Sequence, residues 1–317
     1  MNGLIGYTGF VGNNLARQFK FDGLYNSKNI SDIFNQKFNI LVCAAAPSSM
    51  VDANKNKELD RANIELLIKN LSRSKPDKLV LISTIGVFKD FSATNNESSK
   101  LFETDLAYGV NRRYLEKSLE NICNKLHIIR LPALFGDGLK KNFIFDLINQ
   151  VPSFFNSKKF NQLSLFDNNK HYDLSRYYEY HPKKDLYLLN RNAFDRASIK
   201  TKQELLIFLN ETKSSSIYFH SHKSTYQFYN LNNLFKDIIK VIDNDINTMH
   251  LNSEPIQTNE IYKKFFLSDM PPNEAPVHFE NMISKYSYIW NSDSKYIQNK
   301  EAILNQLHKF YLNNSIF

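Results

Sequence analysis

The sequence predicts an open, doubly wound α/β fold, a parallel sheet with helices on both faces, and three observations carry that prediction. Apolar runs at Leu4-Ile5, Phe38–Cys43 and Lys78–Ile82 alternate with segments whose apolar residues recur at helical spacing, the pattern of βαβ units. Gly6, Gly9 and Gly12 follow the first run at once. All nine glycines lie between Gly3 and Gly138, so the rest of the chain, rich in Asn, Lys, Phe and Tyr, has a different character.

The first strand lies near Leu4 and leads into Gly6-Tyr7-Thr8-Gly9-Phe10-Val11-Gly12. Glycines at that spacing serve a tight turn, a close backbone approach to a pyrophosphate, and close packing of the next helix on the sheet. The N–H groups at the helix start would then face the phosphates, although an ordinary strand-to-helix turn needs small residues too. A second strand lies near Leu24. About 20 residues past the first glycine, where an NAD site usually carries a carboxylate, stand Asn26-Ser27-Lys28. Amide, hydroxyl and cation suit a 2′-phosphate, which predicts NADP, with NAD as the alternative because Asp22 competes if the strand begins earlier. A solvated turn is the other reading of these three residues. The third strand, near Ile40, ends in Ala44-Ala45-Ala46, and a helix over Asn63–Leu71 follows, with Ile64, Leu67, Ile68 and Leu71 on one face. The fourth, near Leu79, ends in Ser83-Thr84, at the edge where ligands of such sheets sit. Tyr108 and Arg112, four residues apart, share a face of a helix carrying Leu115, Leu119 and Ile122. A fifth strand lies near Ile128. Residues 1–150 thus form the predicted dinucleotide-binding domain and 151–317 a substrate-binding region. Elements at about 225–243 return to the sheet, Phe228–Asn230 as a strand leading to a helix over Leu231–Ile242. A helix over Lys300–Tyr311 closes the chain.

Composition narrows the class. A chain of 317 residues can bury a sizeable core. It has no run of about 18 apolar residues and no charged-then-apolar leader, so a cytoplasmic protein without a membrane span is expected. Cys43 and Cys123 make no disulfide framework and read as small core residues. The net charge of +8 comes without zinc-finger spacing, an RNA-binding sheet signature or a dense Lys/Arg run, which argues against nucleic acid and suits an anionic substrate. His220-Ser221-His222 could set both imidazoles on one side of a strand, but no third ligand is visible and no metal site is expected. Lys158-Lys159-Phe160 and Arg176–Lys184 interleave aromatics with cations, either to stack on a base and hold a diphosphate or as a surface over an aromatic cluster.

Taken together, these motifs resemble the extended branch of the short-chain dehydrogenase/reductase superfamily, the nucleotide-sugar epimerases, dehydratases and reductases, which implies a Rossmann-type sheet. The glycine turn has the family's GxxGxxG form. Ser83-Thr84-Ile85-Gly86-Val87-Phe88 looks like its strand-end motif, with Thr84 on the catalytic Ser/Thr position, and Tyr108–Arg112 looks like its tyrosine motif. Arg130-Leu131-Pro132-Ala133-Leu134-Phe135-Gly136 looks like its Arg-bearing strand and substrate-contacting loop. The resemblance is good over residues 1–140 and thinner beyond, where Tyr226–Asp237 and Glu254–Phe266 look like later elements. It implies catalytic roles for Thr84, Tyr108 and Arg112. It implies cofactor contacts from Gly6, Thr8, Gly9, Phe10, Val11, Gly12, Asn26, Ser27, Lys28, Ala44, Ala45, Ala46, Ser83, Tyr108, Arg112, Leu131, Pro132 and Leu134.

One departure stands out, because the family has lysine where this chain has Arg112. Arginine brings a permanent charge and a planar fork that can bind a ribose, yet cannot pass a proton along a relay. A working site with altered proton traffic and a nucleotide-binding fold without chemistry both remain open. Ile85-Gly86 stand where the family's dehydratases carry an acidic pair, so the resemblance implies epimerase or keto-reductase chemistry on a nucleotide-linked sugar, in surface-polysaccharide or deoxysugar biosynthesis. The alternative is an NADP-binding sensor or scaffold. Tyr108–Asn124 would be one of the two helices through which the family often forms homodimers.

Overall fold

The computed structural model describes residues 1–167 and 174–315. In chain order its elements begin with β1 (Asn2–Ile5), α1 (Phe10–Gln18), β2 (Gly23–Tyr25), β3 (Lys37–Cys43), α2 (Met50–Lys55), α3 (Lys57–Leu71), β4 (Lys75–Thr84) and α4 (Ala107–Leu119). They continue with β5 (Leu126–Leu131), β6 (Ala133–Phe135), α5 (Phe143–Ile148), β7 (Phe154–Asn156), α6 (Ser157–Asp167), β8 (Tyr178–His181), β9 (Leu186–Leu189), α7 (Arg191–Asp195) and α8 (Ile199–Glu211). The last are β10 (Thr225–Tyr226), β11 (Phe228–Asn230), α9 (Leu234–Asp243), β12 (Thr248–His250), β13 (Ile256–Gln257), α10 (Thr258–Phe266) and α11 (Lys300–Asn314).

A six-stranded parallel sheet in the order β12-β5-β4-β3-β1-β2 is the frame. Its inner strands are largely apolar on both faces because both are covered. Leu4, Val42, Val80 and Ile129 point to the side held by Leu15 of α1 and by Ile238 and Val241 of α9. Their neighbours Ile5, Leu41, Cys43, Leu79, Leu81 and Ile128 point to the side held by Ile64, Leu67 and Leu71 of α3 and by Leu115 and Leu119 of α4. The period of two along each strand divides one apolar run between two cores. This is the doubly wound Rossmann-type fold that the sequence predicts.

Several elements differ in extent from the sequence reading. The helix expected from Asn63 begins at Lys57, because Glu58 and Asp60 favour a helical first turn without adding to the apolar stripe. The helix carrying Tyr108 ends at Leu119. Phe228–Asn230 is a strand, but it pairs in parallel with β6 rather than with the main sheet. The segment rejoins that sheet through β12, Met249 pairing with Ile129, in a strand of three residues too short to show a period.

The chain forms two compact units. Unit 1 comprises Met1–Leu139, Thr225–Gln257 and His278–Phe310, so residues 140–150 fall in unit 2 and most of α11 in unit 1. Unit 2 has its own core, which includes Phe155, Phe160, Leu163, Phe194, Leu205 and Phe208, and an antiparallel sheet in the order β7-β9-β8. Tyr177 and Tyr178 are buried in that core, and the Tyr178 hydroxyl donates to the Pro152 carbonyl (2.6 Å). Neither is free to stack on a base. His220 and His222 lie outside any strand, beyond a 3-10 turn over Ser216–Phe219. His220 Nε2 pairs with Asp146 Oδ2 (2.7 Å). Among the described residues no helix is long and apolar enough to cross a membrane.

Candidate active site

The carboxyl ends of β1, β2, β3, β4 and β5 bring most of the predicted site residues to one edge of unit 1. Gly6 has φ +88°, a conformation open to glycine at no steric cost, and its N–H donates to the Tyr25 carbonyl of β2 (2.7 Å). A Cβ on Gly6 would stand 2.9 Å from Ala45 Cα, so the turn rests on the Ala44-Ala45 end of β3. A Cβ on Gly12 would stand 2.6 Å from the Gly6 carbonyl carbon, so α1 leaves the turn at the closest distance two backbones allow. Gly9 caps α1 with no side chain, and a Cβ there would meet only the Gly6 carbonyl oxygen, at 3.4 Å. The turn thus has a backbone floor, open space above Gly9, and the first amides of a nine-residue helix without intrahelical acceptors. This cradle fits the diphosphate of a dinucleotide.

Asn26 follows β2 directly. Its Nδ2 donates to Tyr7 Oη (3.2 Å), and its Oδ1 accepts the Lys28 N–H (2.9 Å), a local turn that leaves Ser27 and Lys28 exposed. Asp22 stands before β2, at the opposite end of the strand, and accepts the Asn2 N–H (2.6 Å). Asp22 is therefore no competitor for a ribose at the edge where Gly6 lies.

Thr84 is the last residue of β4, in register with Leu131 of β5, and its Oγ1 accepts the Gly86 N–H (3.0 Å). The N-cap of α4 is Leu106, which offers no side-chain acceptor. Asn54 of α2 does so instead, taking the Tyr108 N–H at 2.9 Å and fixing the first turn of α4. A Cβ on Gly86 would lie 2.9 Å from Tyr108 Cε1 and 3.3 Å from Thr84 Oγ1. Thr84 and Tyr108 therefore flank the same residue. A Cβ on Gly109 would in turn collide with the Gly86 carbonyl and approach Glu103 Cβ to 2.7 Å, so two glycines let the turn after β4 lie directly on α4. Leu131 and Pro132 are buried at the same edge, and Leu134 is half-buried on β6.

Arg112 is almost wholly buried, and its guanidinium is engaged by groups the sequence reading did not name. NH1 donates to Asp60 Oδ2 (3.1 Å) and NH2 to Asp60 Oδ1 (3.0 Å), a bidentate pair with α3. NH2 also donates to the Pro47 carbonyl in the loop after β3. The guanidinium carbon lies 4.6 Å from the centroid of the Tyr108 ring. Asn111 Nδ2 adds a bond to Asp60 Oδ2 (2.9 Å). A sequence signal for Asp60 exists, since it stands four residues before Ile64 and seven before Leu67 on the buried stripe of α3, where an unpaired carboxylate would not be tolerated.

Ser83 turns away from this edge and donates to Glu116 Oε1 (2.7 Å). Glu116 also accepts from Arg130 Nε (2.9 Å) and NH2 (2.7 Å) and from Arg113 (2.8 Å). Burial alone would push the Glu116 carboxyl up, but the hydrogen bonds and charge of Arg130, with Ser83 and Arg113, hold it below its ordinary value. Burial pushes the neighbouring His250 down to about 4, although the Glu97 charge acts in the opposite direction. A neutral His250 that donates through Nδ1 to the Ile283 carbonyl (3.1 Å) leaves Nε2 to accept from Arg130 NH1 (3.3 Å). This network holds the strand ends beneath Thr84.

No protein-family model matches the chain, and no curated protein does. Solved structures do. A dTDP-4-dehydrorhamnose reductase from Bacillus anthracis, in complex with NADP, superposes with a TM-score of 0.57 at 16% identity, covering 98% of this chain and 97% of that one. A UDP-N-acetylglucosamine 4-epimerase from Methanobrevibacter ruminantium, in complex with UDP-N-acetylmuramic acid, gives 0.60 at 12% identity over 98% and 96%. MoeE5 in complex with UDP-glucose and NAD gives 0.60 at 10% identity over 98% of each. The chain has the fold that these three proteins share, over nearly its whole length.

Proposed function

We propose that this protein is an NAD(P)-dependent reductase or epimerase acting on a nucleotide-linked sugar. The observation that carries the reading is the convergence of Thr84 and Tyr108 on Gly86, at the sheet edge that also holds the Gly6–Gly12 cradle. The Gly6–Gly12 turn and the start of α1 would hold the diphosphate, with Ala44–Ala46 beside the adenosine half and Asn26, Ser27 and Lys28 at its ribose. The last three offer no carboxylate and one cation, which favours NADP. Bound there, the nicotinamide supplies a hydride donor and acceptor. The Tyr108 hydroxyl gives a proton to, or takes one from, the sugar oxygen at the reacting carbon, and the Thr84 hydroxyl holds that oxygen in place. Gly86, without a side chain, supplies no acid for eliminating water. The engagement of the Arg112 guanidinium by Asp60 and Pro47 favours a second reading, a protein that binds the dinucleotide without turnover. The exposed Leu59 and Leu66 on α3, which packs against α4, support a homodimer, and a cytoplasmic setting suits these substrates.

The test is in two parts. Mass spectrometry of what denatured protein releases should find NADP or NAD, or else added NADPH should bind. Tyr108→Phe should then keep that binding while turnover of a 4-keto or 4-hydroxy nucleotide sugar falls by about 10²–10⁴. Unchanged turnover removes Tyr108 from the chemistry, and binding without turnover in the parent chain selects the second reading.

A further inference from the structure

The side chains of Arg112 and Asp60 are 3% and 4% exposed and face each other through two parallel hydrogen bonds. Both hydrogens of NH2 are spent, one on Asp60 and one on Pro47. The guanidinium therefore cannot swing toward a ligand without leaving a carboxylate buried and unpaired. The pair carries no net charge. A lone cation within about 4–6 Å would lower a tyrosine by about 1–3 pH units, but a carboxylate bonded to that cation opposes it. Other charged groups flank the start of α4: Asp105, three residues before Tyr108, pairs with Lys89 (3.0 Å), and α2 carries the exposed Asp52 and Lys55. Arg61 of α3 bonds Glu65 (2.9 Å), donates to Asn111 Oδ1 (3.4 Å) and lies over the Tyr114 ring, and Arg113 of α4 bonds Glu116. Glu103, before α4, accepts the N–H groups of Thr104 and Asp105, while α2 offers Tyr108 the neutral Asn54. The guanidinium carbon lies 4.6 Å from the centre of the Tyr108 ring, close enough to orient the ring.

We propose that Asp60 is a positioning residue for Tyr108: with Arg112 it forms an electrically neutral clamp that joins α3, the loop after β3 and α4 and holds the tyrosine ring in place. Lysine would not reproduce this clamp, because its ammonium has no planar fork to meet both carboxylate oxygens in parallel. The clamp deepens the reading of Tyr108 as the proton-transfer group and rests on it for its catalytic meaning, but its electrostatics can be measured without turnover.

The experiment labels the tyrosines with ¹³C at Cζ in the full chain, assigns Tyr108 by the signal lost in Tyr108→Phe, and titrates it by NMR. Asp60→Asn exposes the guanidinium charge and should lower the Tyr108 midpoint by about one pH unit or more. Asp60→Asn combined with Arg112→Gln removes both charges and should return it to within about half a unit of the parent, since a neutral pair is exchanged for a neutral pair. A single variant with an unmoved midpoint, or a double variant raised by about one unit or more, overturns the clamp. Should the single variant fail to fold, the double variant decides alone, because it leaves no buried charge unpaired. If the titrations come out as expected and the parent chain turns over no substrate, the clamp stands and the enzymatic reading falls.

Discussion

Gly12→Ala tests the geometry on which the cofactor assignment depends. The new methyl would lie 2.6 Å from the Gly6 carbonyl carbon and 2.9 Å from Tyr7 Cα, where carbon atoms ordinarily stay about 3.5–4.0 Å apart. Both obstacles are backbone, so no side chain can turn aside, and α1 must retreat from the turn by about 1 Å. Overpacking of that kind costs about 1–3 kcal/mol, which at about 2–4 °C per kcal/mol is a fall of several degrees in Tm. The retreat also takes the helix amides away from a phosphate. Losing one charge-assisted hydrogen bond, at about 1.5–3 kcal/mol, weakens binding about ten- to hundredfold. Gly9→Ala is the control. Its φ of −78° suits alanine and its Cβ would touch only the Gly6 oxygen at 3.4 Å, so stability should change by no more than about 1 kcal/mol, alanine being the poorer cap. That methyl would project into the open space above the turn and should still abolish tight binding. The assays are calorimetric unfolding and a fluorescence titration with NADPH. Gly12→Ala with parental Tm and affinity would refute the backbone approach, and Gly9→Ala with parental affinity would remove the phosphates from that face.

Two further outcomes follow from the ends of β4 and β5. Glu116→Gln leaves the Arg130 charge buried and uncompensated and should cost about 3–5 kcal/mol in urea unfolding at neutral pH. Glu116 titrates below its ordinary 4.5 in the folded chain, so its stabilisation is in full above the unfolded value and is lost as pH falls through the folded one. The parent should thus lose stability more steeply than the variant below about pH 5, and parallel profiles would contradict the assignment. Gly86→Ala would press on Tyr108 Cε1 from 2.9 Å. In a steady-state assay kcat should fall by at least about tenfold while NADPH affinity holds, since a displacement of about 1 Å is costly at a reacting group. Parental kcat would show that Gly86 does not set the position of Tyr108.

Much of this site is written locally. The Gly6–Gly12 spacing, the hydroxyls ending β4 and the four-residue interval from Tyr108 to Arg112 each lie within a few turns of chain, where period and residue type carry the information. The role of Gly86 and Gly109 was less legible, because neither spacing nor composition says that a turn after one strand will lie on a helix more than twenty residues later. Phe228–Asn230 misled in a similar way. Its apolar character marks a strand, but the choice of β6 as partner rests on the register of Tyr229 with Leu134.

Arg112 marks the boundary between what sequence and structure decide. The sequence alone determined the sheet, its glycine cradle, the threonine and tyrosine at the edge, and the fact that an arginine stands where the resembled family has lysine. It left open whether that arginine serves a working site with altered proton traffic or a nucleotide-binding fold without chemistry. Its bidentate partner, Asp60, stands 52 residues earlier, on another helix. Only the packing of α3 against α4 brings the two together. Charge in a protein interior acts through distance and burial rather than through residue type, so only the tertiary structure decided that this cation is balanced.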